Sequence, residues 1–307
     1  MRLVTAGRNL VLPSVRPRTF HLKGCIDNIL FQPHALQPTS MYALLNVIKH
    51  FISDIQHRHF AQIDDWNGLN RLVPWQTYQL DFRARALVSI IVSLTHGATA
   101  ATKSTDLNVR VLWHNVNINL TANLQVFELA AGRAGPVRGA NAIKDVAEWS
   151  KTPAARRACV HAAQTYKLIS QRKVSESVML NCMSALFAAA LILGLYIFQM
   201  RPDQMAGNVP VFDLLGEVDW TLVGEAGLSD ATASSVNIFD APQRTAATDF
   251  IEFGGPVTIG GVPACGYVSA RRVLLDFAQL MDGMGVWRPK TFSRILHIMS
   301  DVLEESP

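Results

Sequence analysis

The sequence predicts an all-α protein, a multi-helix bundle with a long irregular insert. Three observations predict it: apolar residues recur at helical spacing over most of the chain, alternating strand patterns are scarce, and one long segment carries no charge. Of the 307 residues, 49% are hydrophobic and 17% are charged, whereas an ordinary soluble domain has about 25% charged residues. The chain is therefore long and apolar enough to form a large core without disulfides or metals.

Charge and cysteine content argue against a nucleic-acid-binding surface and against a zinc finger. The net charge of +4 is small and spread along the chain, which argues against a nucleic-acid surface, where a basic face is expected. The four cysteines, Cys25, Cys159, Cys182 and Cys265, show no CxxC spacing. We therefore expect reduced thiols in an intracellular protein rather than a zinc finger. The amino-terminal segment also lacks the continuous apolar stretch of a secretory signal.

Two helices are predicted in the first half of the chain. Ser40 is a plausible N-cap for the first, whose apolar residues return every three or four positions. The second runs from about Asp106 to about Gly132, because glycine commonly follows a helix C-terminus. Their apolar faces consist of Met41, Leu44, Leu45, Ile48, Phe51, Ile52 and Ile55 in the first helix and Val109, Trp113, Val116, Leu120, Leu124 and Phe127 in the second.

Three further helices have recognisable first residues. Thr152 can cap a helix that begins at Pro153, where the missing N–H of proline costs nothing. Ser269 can cap a helix that Gly283 closes, and Pro289 opens the last helix. The apolar faces are Ala155, Cys159, Ala162, Tyr166 and Ile169, then Val273, Leu274, Phe277 and Met281, and finally Phe292, Ile295, Leu296, Met299 and Leu303.

The domain organisation follows from these helices. Residues 1–38 are predicted to be an irregular segment, and residues 39–307 a single helical domain. Within that domain, residues 201–265 are predicted to be mainly loop, with one short helix near residues 229–239, because they are rich in Gly, Pro, Ser, Thr and Asp and show no sustained period. Residues 254–261 could form a brief extended pair, but their glycines and proline favour an irregular loop.

An uncharged apolar run covers residues 178–198. Since about 20 apolar residues span a bilayer, this run is long enough for a membrane helix, and Arg172 and Arg201 flank it. It is equally typical of a central helix that its neighbours cover on all sides. Polar residues such as Asn181 in its first turns favour the central helix, as do the other amphipathic helices, which need a shared apolar partner. The pattern alone leaves both interpretations open.

One cluster has the residue types of a metal site: His57-Arg58-His59 followed by Asp64-Asp65. Two histidines two positions apart at the end of a helix point in different directions, and no third ligand is specified. We therefore interpret this cluster as a solvated helix end.

Catalytic patterns are equally scarce. Cys159 and His161 lie two positions apart on a predicted helix and so do not face each other. No GxSxG motif is present, and residues 254–261 lack the order of a phosphate-binding loop. The sequence therefore predicts no catalytic, cofactor-binding or metal-ligating residue and no cofactor.

The remaining charged and aromatic residues are interpreted structurally. The acidic pairs Asp64-Asp65 and Glu304-Glu305 are taken as surface charge, because adjacent residues on a helix diverge. The basic pairs Arg156-Arg157 and Arg271-Arg272 are taken as solvated helix faces. The tryptophans are expected to anchor helix packing; they are Trp66, Trp75, Trp113, Trp149, Trp220 and Trp287.

Four segments in order carry a resemblance to a known family. The first is Leu112-Trp113-His114 leading into residues 129–135, and the second is residues 146–164. The second contains a tryptophan, a short cap, paired basic residues and a His-Ala step. The third is the apolar helix 186–196, and the fourth is residues 269–303. In order and spacing they resemble the regulatory (middle homology) domain of fungal-specific transcription factors, which follows a zinc-finger or zinc-cluster DNA-binding module. The resemblance covers residues 40–304 approximately.

The resemblance implies a fold and a function. It implies an all-α domain in which the run 178–198 is a fully buried central helix, and a non-enzymatic nuclear regulator of transcription that controls a metabolic or secondary-metabolite gene cluster. Implied partners are a second copy, a DNA-binding relative or the transcription machinery, with DNA reached only indirectly and no membrane. The family's zinc module has no counterpart among the four scattered cysteines. The chain is therefore expected to be a short form or fragment, or to act without its own DNA contact.

Two alternatives from other classes stand beside this interpretation. The chain is a membrane-associated protein if residues 178–198 form a single span. It is a helical biosynthetic enzyme if a site lies between helices without a recognisable motif.

Overall fold

The computed structural model describes residues 37–61, 76–80, 82–96, 101–173, 175–201, 210–228, 244–284 and 289–302. These residues all belong to one compact unit, Leu36–Pro307. They form helices and one small sheet of three short strands, so the all-α prediction is confirmed. Nearly all of the predicted irregular segment 1–38, and the short helix predicted at 229–239, lie outside the described residues.

The helices of the first half are α1 (Pro38–Ala61), α2 (Thr77–Leu80), α3 (Phe82–Ser93), α4 (Leu107–Thr121), α5 (Leu124–Ala130) and α6 (Pro136–Ser150), with a 3-10 turn at Ala101–Lys103. Those of the second half are α7 (Pro153–Ser170), α8 (Leu180–Gln199), α9 (Trp220–Val223), α10 (Ala246–Phe253), α11 (Gly266–Asp282) and α12 (Pro289–Val302). The strands are β1 (Phe212–Asp213), β2 (Val257–Ile259) and β3 (Val262–Pro263).

The helix starts predicted at Thr152 and near Asp106 are confirmed, whereas Ser40 and Ser269 lie inside their helices and do not cap them. The Thr152 hydroxyl accepts a hydrogen bond from the backbone N–H of Ala155 at 3.1 Å, and Pro153 is the first residue of α7. The Asp106 carboxylate caps α4 in the same way, accepting from the N–H of Asn108 at 2.8 Å. Each bond satisfies a donor that has no partner within its own helix.

Other boundaries differ from the prediction. The helix predicted from Asp106 to Gly132 is two helices, since the chain breaks at Ala122 and the Asn123 side chain caps α5. Helices α3 and α6 were not predicted, although α6 begins at a proline as α7 does. Helix α1 begins two residues before Ser40, and α11 begins three residues before Ser269.

The insert contains more regular structure than its composition indicates. Strand β1 pairs in parallel with β2, and β2 pairs antiparallel with β3. The loop interpretation of residues 254–261 is therefore wrong for residues 257–259, which form β2. The glycines allow the hairpin, because Gly260 and Gly261 form its turn with φ of +58° and +79°, a region that favours glycine. Helices α9 and α10 lie between β1 and β2 in the chain.

The apolar run forms the centre of the bundle. Helix α8 packs against α4, α5, α6, α7, α11 and α12, and most of its residues are buried. Among the described residues it is the one helix long and apolar enough to cross a membrane, and most of its apolar length is covered by the rest of the chain. The predicted buried central helix is thus present, because amphipathic neighbours on every side supply the apolar surface that it requires.

Candidate functional site

Two segments that carry the family resemblance meet in the core. Trp113 and His114 on α4 lie beside His161 on α7, and Trp220 from α9 completes the group. The Nδ1 atoms of His114 and His161 are 2.9 Å apart. The ring of His161 stacks on Trp220 with centroids 3.9 Å apart and planes within 11°, and Trp113 meets His161 edge-on at 5.1 Å. We call these four residues the aromatic centre.

Burial determines the protonation state of the aromatic centre. Removal from water lowers the pKa of His114 to about 3, and the nearby Arg110 adds to this effect. Burial also lowers the pKa of His161 well below its usual value, with further contributions from His114 and Arg157. Both imidazoles are therefore neutral at pH 7. A bond between two Nδ1 atoms then requires opposite tautomers, with one ring donating and the other accepting.

The aromatic centre has no solvent-accessible reactive group. Trp113 and His161 are fully buried, and His114 and Trp220 nearly so. A general base or nucleophile must come within hydrogen-bonding distance of a substrate, and these side chains instead contact one another. The arrangement fixes the relative position of α4, α7 and α9.

The interpretation of Arg156 and Arg157 as solvated is wrong. Arg156 is 8% exposed and Arg157 is fully buried. Arg157 Nη1 donates to the carbonyl oxygens of Gly224 and Ala226 at 2.9 and 2.8 Å, at the end of α9. Desolvation lowers the pKa of Arg157 to about 9, so this guanidinium is still mainly charged at pH 7.

Arg156 makes a corresponding contact at the end of α10. Its Nε donates to the carbonyl of Ile251 at 2.8 Å and its Nη2 to that of Glu252 at 2.9 Å. The last carbonyls of a helix have no partner within that helix, and a cation placed there is favourable. The two arginines are buried because they satisfy the C-terminal ends of the two short helices of the insert.

A third side chain of α7 contacts the insert near the sheet. Gln164 Nε2 donates to the carbonyls of Leu214 and Gly216 at 3.0 and 2.9 Å. We call Arg156, Arg157 and Gln164 the insert anchors. Arg157, His161 and Gln164 follow one another at spacings of four and three, which places them on one helical face. That polar stripe was the sequence signal that could have revealed the site.

The backbone of the insert also comes close to the backbone of α7. Gly227 has a φ of +76°, and a Cβ at this position would lie 2.8 Å from the carbonyl oxygen of Pro153. The insert therefore packs directly against the first turn of α7, at a position where only glycine fits without strain.

The other candidates noted in the sequence are not brought together. His57 is exposed, with its Nδ1 3.1 Å from Gln125 Nε2, while the side chain of His59 and residues 64–65 lie outside the described part of the chain. Cys159 is buried, which raises its pKa well above the usual value, and His161 pairs with His114 rather than with this thiol. In the described ranges, no three His, Cys, Asp or Glu side chains are grouped to hold a metal ion.

The second arginine pair and the tryptophans fit their interpretation where they are described. Arg271 and Arg272 are exposed, with Asp301 and Asp276 at 3.6 and 3.9 Å. Trp149 is fully buried, meets Phe127 edge-on, and donates through Nε1 to the carbonyl of Thr121 at 3.0 Å. Glu304-Glu305, Trp66, Trp75 and Trp287 lie outside the described residues.

Comparison of the chain with protein-family models, with curated proteins and with solved structures finds no match.

Proposed function

We propose that this chain is a regulator of transcription, a non-enzymatic helical domain that acts in the nucleus through protein contacts. One observation carries the proposal. The segments whose order resembles the fungal regulatory domain, Trp113-His114 and residues 146–164, supply three of the four residues of the aromatic centre and all the insert anchors. These residues of the two segments therefore contact one another and the insert in the folded chain.

The role of these polar groups supports a scaffold rather than a catalyst. Arg156, Arg157 and Gln164 direct their donors to backbone carbonyls of the insert, and the two histidines bond to each other. Such interactions hold the insert in one position on the bundle. A surface held in one position loses less conformational entropy when a partner binds, which favours recognition of other proteins.

The proposed route to a promoter is indirect. We propose that the domain pairs with a second copy or with a relative that carries a DNA-binding module, and through it with the transcription machinery. The small net charge of +4 over 307 residues supports this route, because direct contact with DNA phosphates calls for a basic face. The proposed targets are genes of a metabolic or secondary-metabolite cluster.

The test begins with the tagged chain in its own cells. Imaging locates the chain, alkaline extraction of membranes separates peripheral from spanning proteins, and transcripts are compared with and without the gene. The proposal expects a nuclear, extractable chain whose loss changes a defined set of transcripts. A chain that stays outside the nucleus and whose loss changes no transcript contradicts it.

Two variants connect this test to the structure. Arg157→Met removes an insert anchor, whereas Arg271→Met removes an exposed guanidinium. We expect the first to reproduce the transcript changes of the deletion and the second to behave as the natural chain. If alkaline extraction leaves the chain in the membrane pellet, α8 is a span and the membrane alternative replaces this proposal.

A further inference from the structure

A pocket of about 160 Å³ lies where α1, α4, α5, α8 and α12 meet. It is separate from the aromatic centre and the insert anchors, and no residue of either lines it. The lining residues that matter for recognition are Lys49, Asn115, Ser184, Phe187, Leu191 and Phe292.

One side of the pocket is apolar. Phe187 of α8 and Phe292 of α12 stack with ring centroids 4.7 Å apart and planes within 26°. Leu191, one turn further along α8, is buried and continues the same wall. A wall of aromatic and branched side chains excludes water and favours a compact apolar body.

The other side holds a cation. Lys49 is half-buried, and desolvation lowers the pKa of its amine, whereas the nearby Cys182 thiol acts in the opposite direction. In the part of the chain that the structure describes, no carboxylate lies within ion-pair distance of its Nζ. Glu128 also lines the pocket, but its carboxylate pairs with Arg133. A partly desolvated ammonium without a counter-ion is best complemented by an anion.

We propose that this pocket binds a small monocarboxylate with an aromatic or branched apolar body. The carboxylate pairs with Lys49 Nζ, with the Asn115 side chain as a neighbouring hydrogen-bonding group, and the body lies against Phe292 and Leu191. The Ser184 hydroxyl donates to the carbonyl of Asn181 and so contributes only to the shape of the pocket. The pocket is smaller than the roughly 300–1,000 Å³ of a site for a drug-sized ligand, so a ligand the size of benzoate or isovalerate fits the space. This inference goes beyond the proposed function and does not depend on it.

The experiment uses the purified 307-residue chain and isothermal titration calorimetry. Sodium benzoate and sodium isovalerate are compared with benzamide and isovaleramide, which have nearly the same shape without the charge. We expect each carboxylate to bind at least about tenfold more tightly than its amide, since a charge-assisted hydrogen bond is roughly twice as strong as a neutral one. Equal affinities, or no carboxylate binding at millimolar concentration, would overturn the proposal.

Two lysine variants test whether benzoate binds in this pocket. Lys49→Met removes the charge and keeps an unbranched stem, so benzoate affinity should fall at least about tenfold while benzamide affinity is unchanged. Lys144→Met, on an exposed lysine of α6, is the matched control and should bind as the natural chain does. Benzoate binding that survives Lys49→Met refutes the assigned site.

A pH series on the natural chain gives an independent readout if Lys49→Met does not fold. Benzoate affinity should fall as the pH rises from 7 towards 10, because the amine must be protonated to pair and its pKa lies below the usual value. Benzamide affinity should stay constant over the same range. Benzoate affinity that does not change with pH contradicts the ion pair.

Discussion

His114 and His161 share a hydrogen bond between their Nδ1 atoms, 2.9 Å apart, although they are 47 residues apart in the sequence. Both rings are buried beside positive charge, Arg110 near His114 and Arg157 near His161. A proton added to either ring would place an imidazolium in the core close to these cations. The native packing therefore stabilises the neutral pair and opposes protonation.

The stability of the fold should fall as the pH decreases through the ordinary histidine range. The folded-state pKa values of His114 and His161 lie below the unfolded value of about 6.5, so the unfolded chain binds more protons below that pH. Stability is full above pH 6.5 and should decrease by up to about 1.4 kcal/mol per pH unit for each histidine below it. Urea unfolding at pH 7.5, 6.0, 5.0 and 4.5 measures this loss.

A histidine variant separates the pair from other titrating groups. His114→Asn keeps a polar atom near the Nδ1 position but does not titrate, so the loss of stability between pH 6 and 5 should shrink. His96→Asn changes an exposed histidine and should leave the loss of stability between pH 6 and 5 unchanged. Burial raises the pKa of Asp145 to about 6, which acts in the opposite direction in all variants. Equal pH dependence of the natural chain and His114→Asn would contradict the assignment.

Removing Arg157 should destabilise the chain and loosen the insert. In Arg157→Met the carbonyls of Gly224 and Ala226 lose their donor, and each buried unpaired group costs about 1–3 kcal/mol. Part of this is offset because the desolvated charge is also removed, so we expect a loss of about 2 kcal/mol in the free energy of unfolding.

Arg271→Met is the matched control for Arg157→Met. Arg271 is half-exposed and lies 3.6 Å from Asp301, and an exposed pair of this kind contributes about 0–1 kcal/mol. Urea unfolding compares the two variants, and limited proteolysis should cut residues 210–228 faster in Arg157→Met alone. Similar losses in both variants would show that the buried carbonyl contacts contribute little.

Gly194 allows α8 and α11 to approach closely. A Cβ at Gly194 would lie 2.7 Å from Leu274 Cδ2, and Leu274 is fully buried. Alanine is the better helix former by about 1 kcal/mol, but overpacking of a core costs about 1–3 kcal/mol. We therefore expect Gly194→Ala to destabilise the natural chain.

The effect of Gly194→Ala on stability should change sign once the contact with Leu274 is removed. Leu274→Ala alone should cost about 2–5 kcal/mol, because it leaves a cavity. In that background Gly194→Ala has space for its methyl group and should stabilise the chain. Thermal unfolding of the two single variants and the double variant measures the coupling. Additive effects would show that the two helices adjust without strain.

The cap of α7 should contribute measurably to stability. Thr152→Ala removes the hydroxyl that accepts from the N–H of Ala155, and losses of this kind are typically about 1 kcal/mol. Thr152→Ser keeps an accepting hydroxyl and should lose much less. Chemical unfolding of both variants checks the difference, and an equal loss would assign the effect to the threonine methyl group instead.

The helices could be predicted where local chemistry marks them. Asp106, Thr152 and Pro153 identify helix starts because a cap and the donor it satisfies lie within three residues. The break at Ala122 was not predicted, since the apolar spacing continues past it and gave no reason to end the helix. Helix α6 was also not predicted, although Pro136 at its first position is the cue that identified α7. The hairpin of β2 and β3 also escaped, because its glycines are equally typical of an irregular loop.

The candidate site was harder to predict, since its partners are distant in sequence. Arg156 and Arg157 have the pattern of a solvated basic pair, yet their acceptors are backbone carbonyls up to 96 residues away. Every residue type has such a carbonyl, so no side chain in the sequence marks it. His161 likewise gave no sign that its partner would be His114 rather than Cys159.

The sequence by itself determined several of the helices and their apolar faces, because both depend on residues within about one helical turn. It left residues 178–198 open between a membrane span and a core helix, since both are apolar all round. In the tertiary structure α8 is a central helix covered by its neighbours, and Arg156 and Arg157 are buried. Six helices surround α8, and only the folded chain brings the carbonyls of the insert to α7.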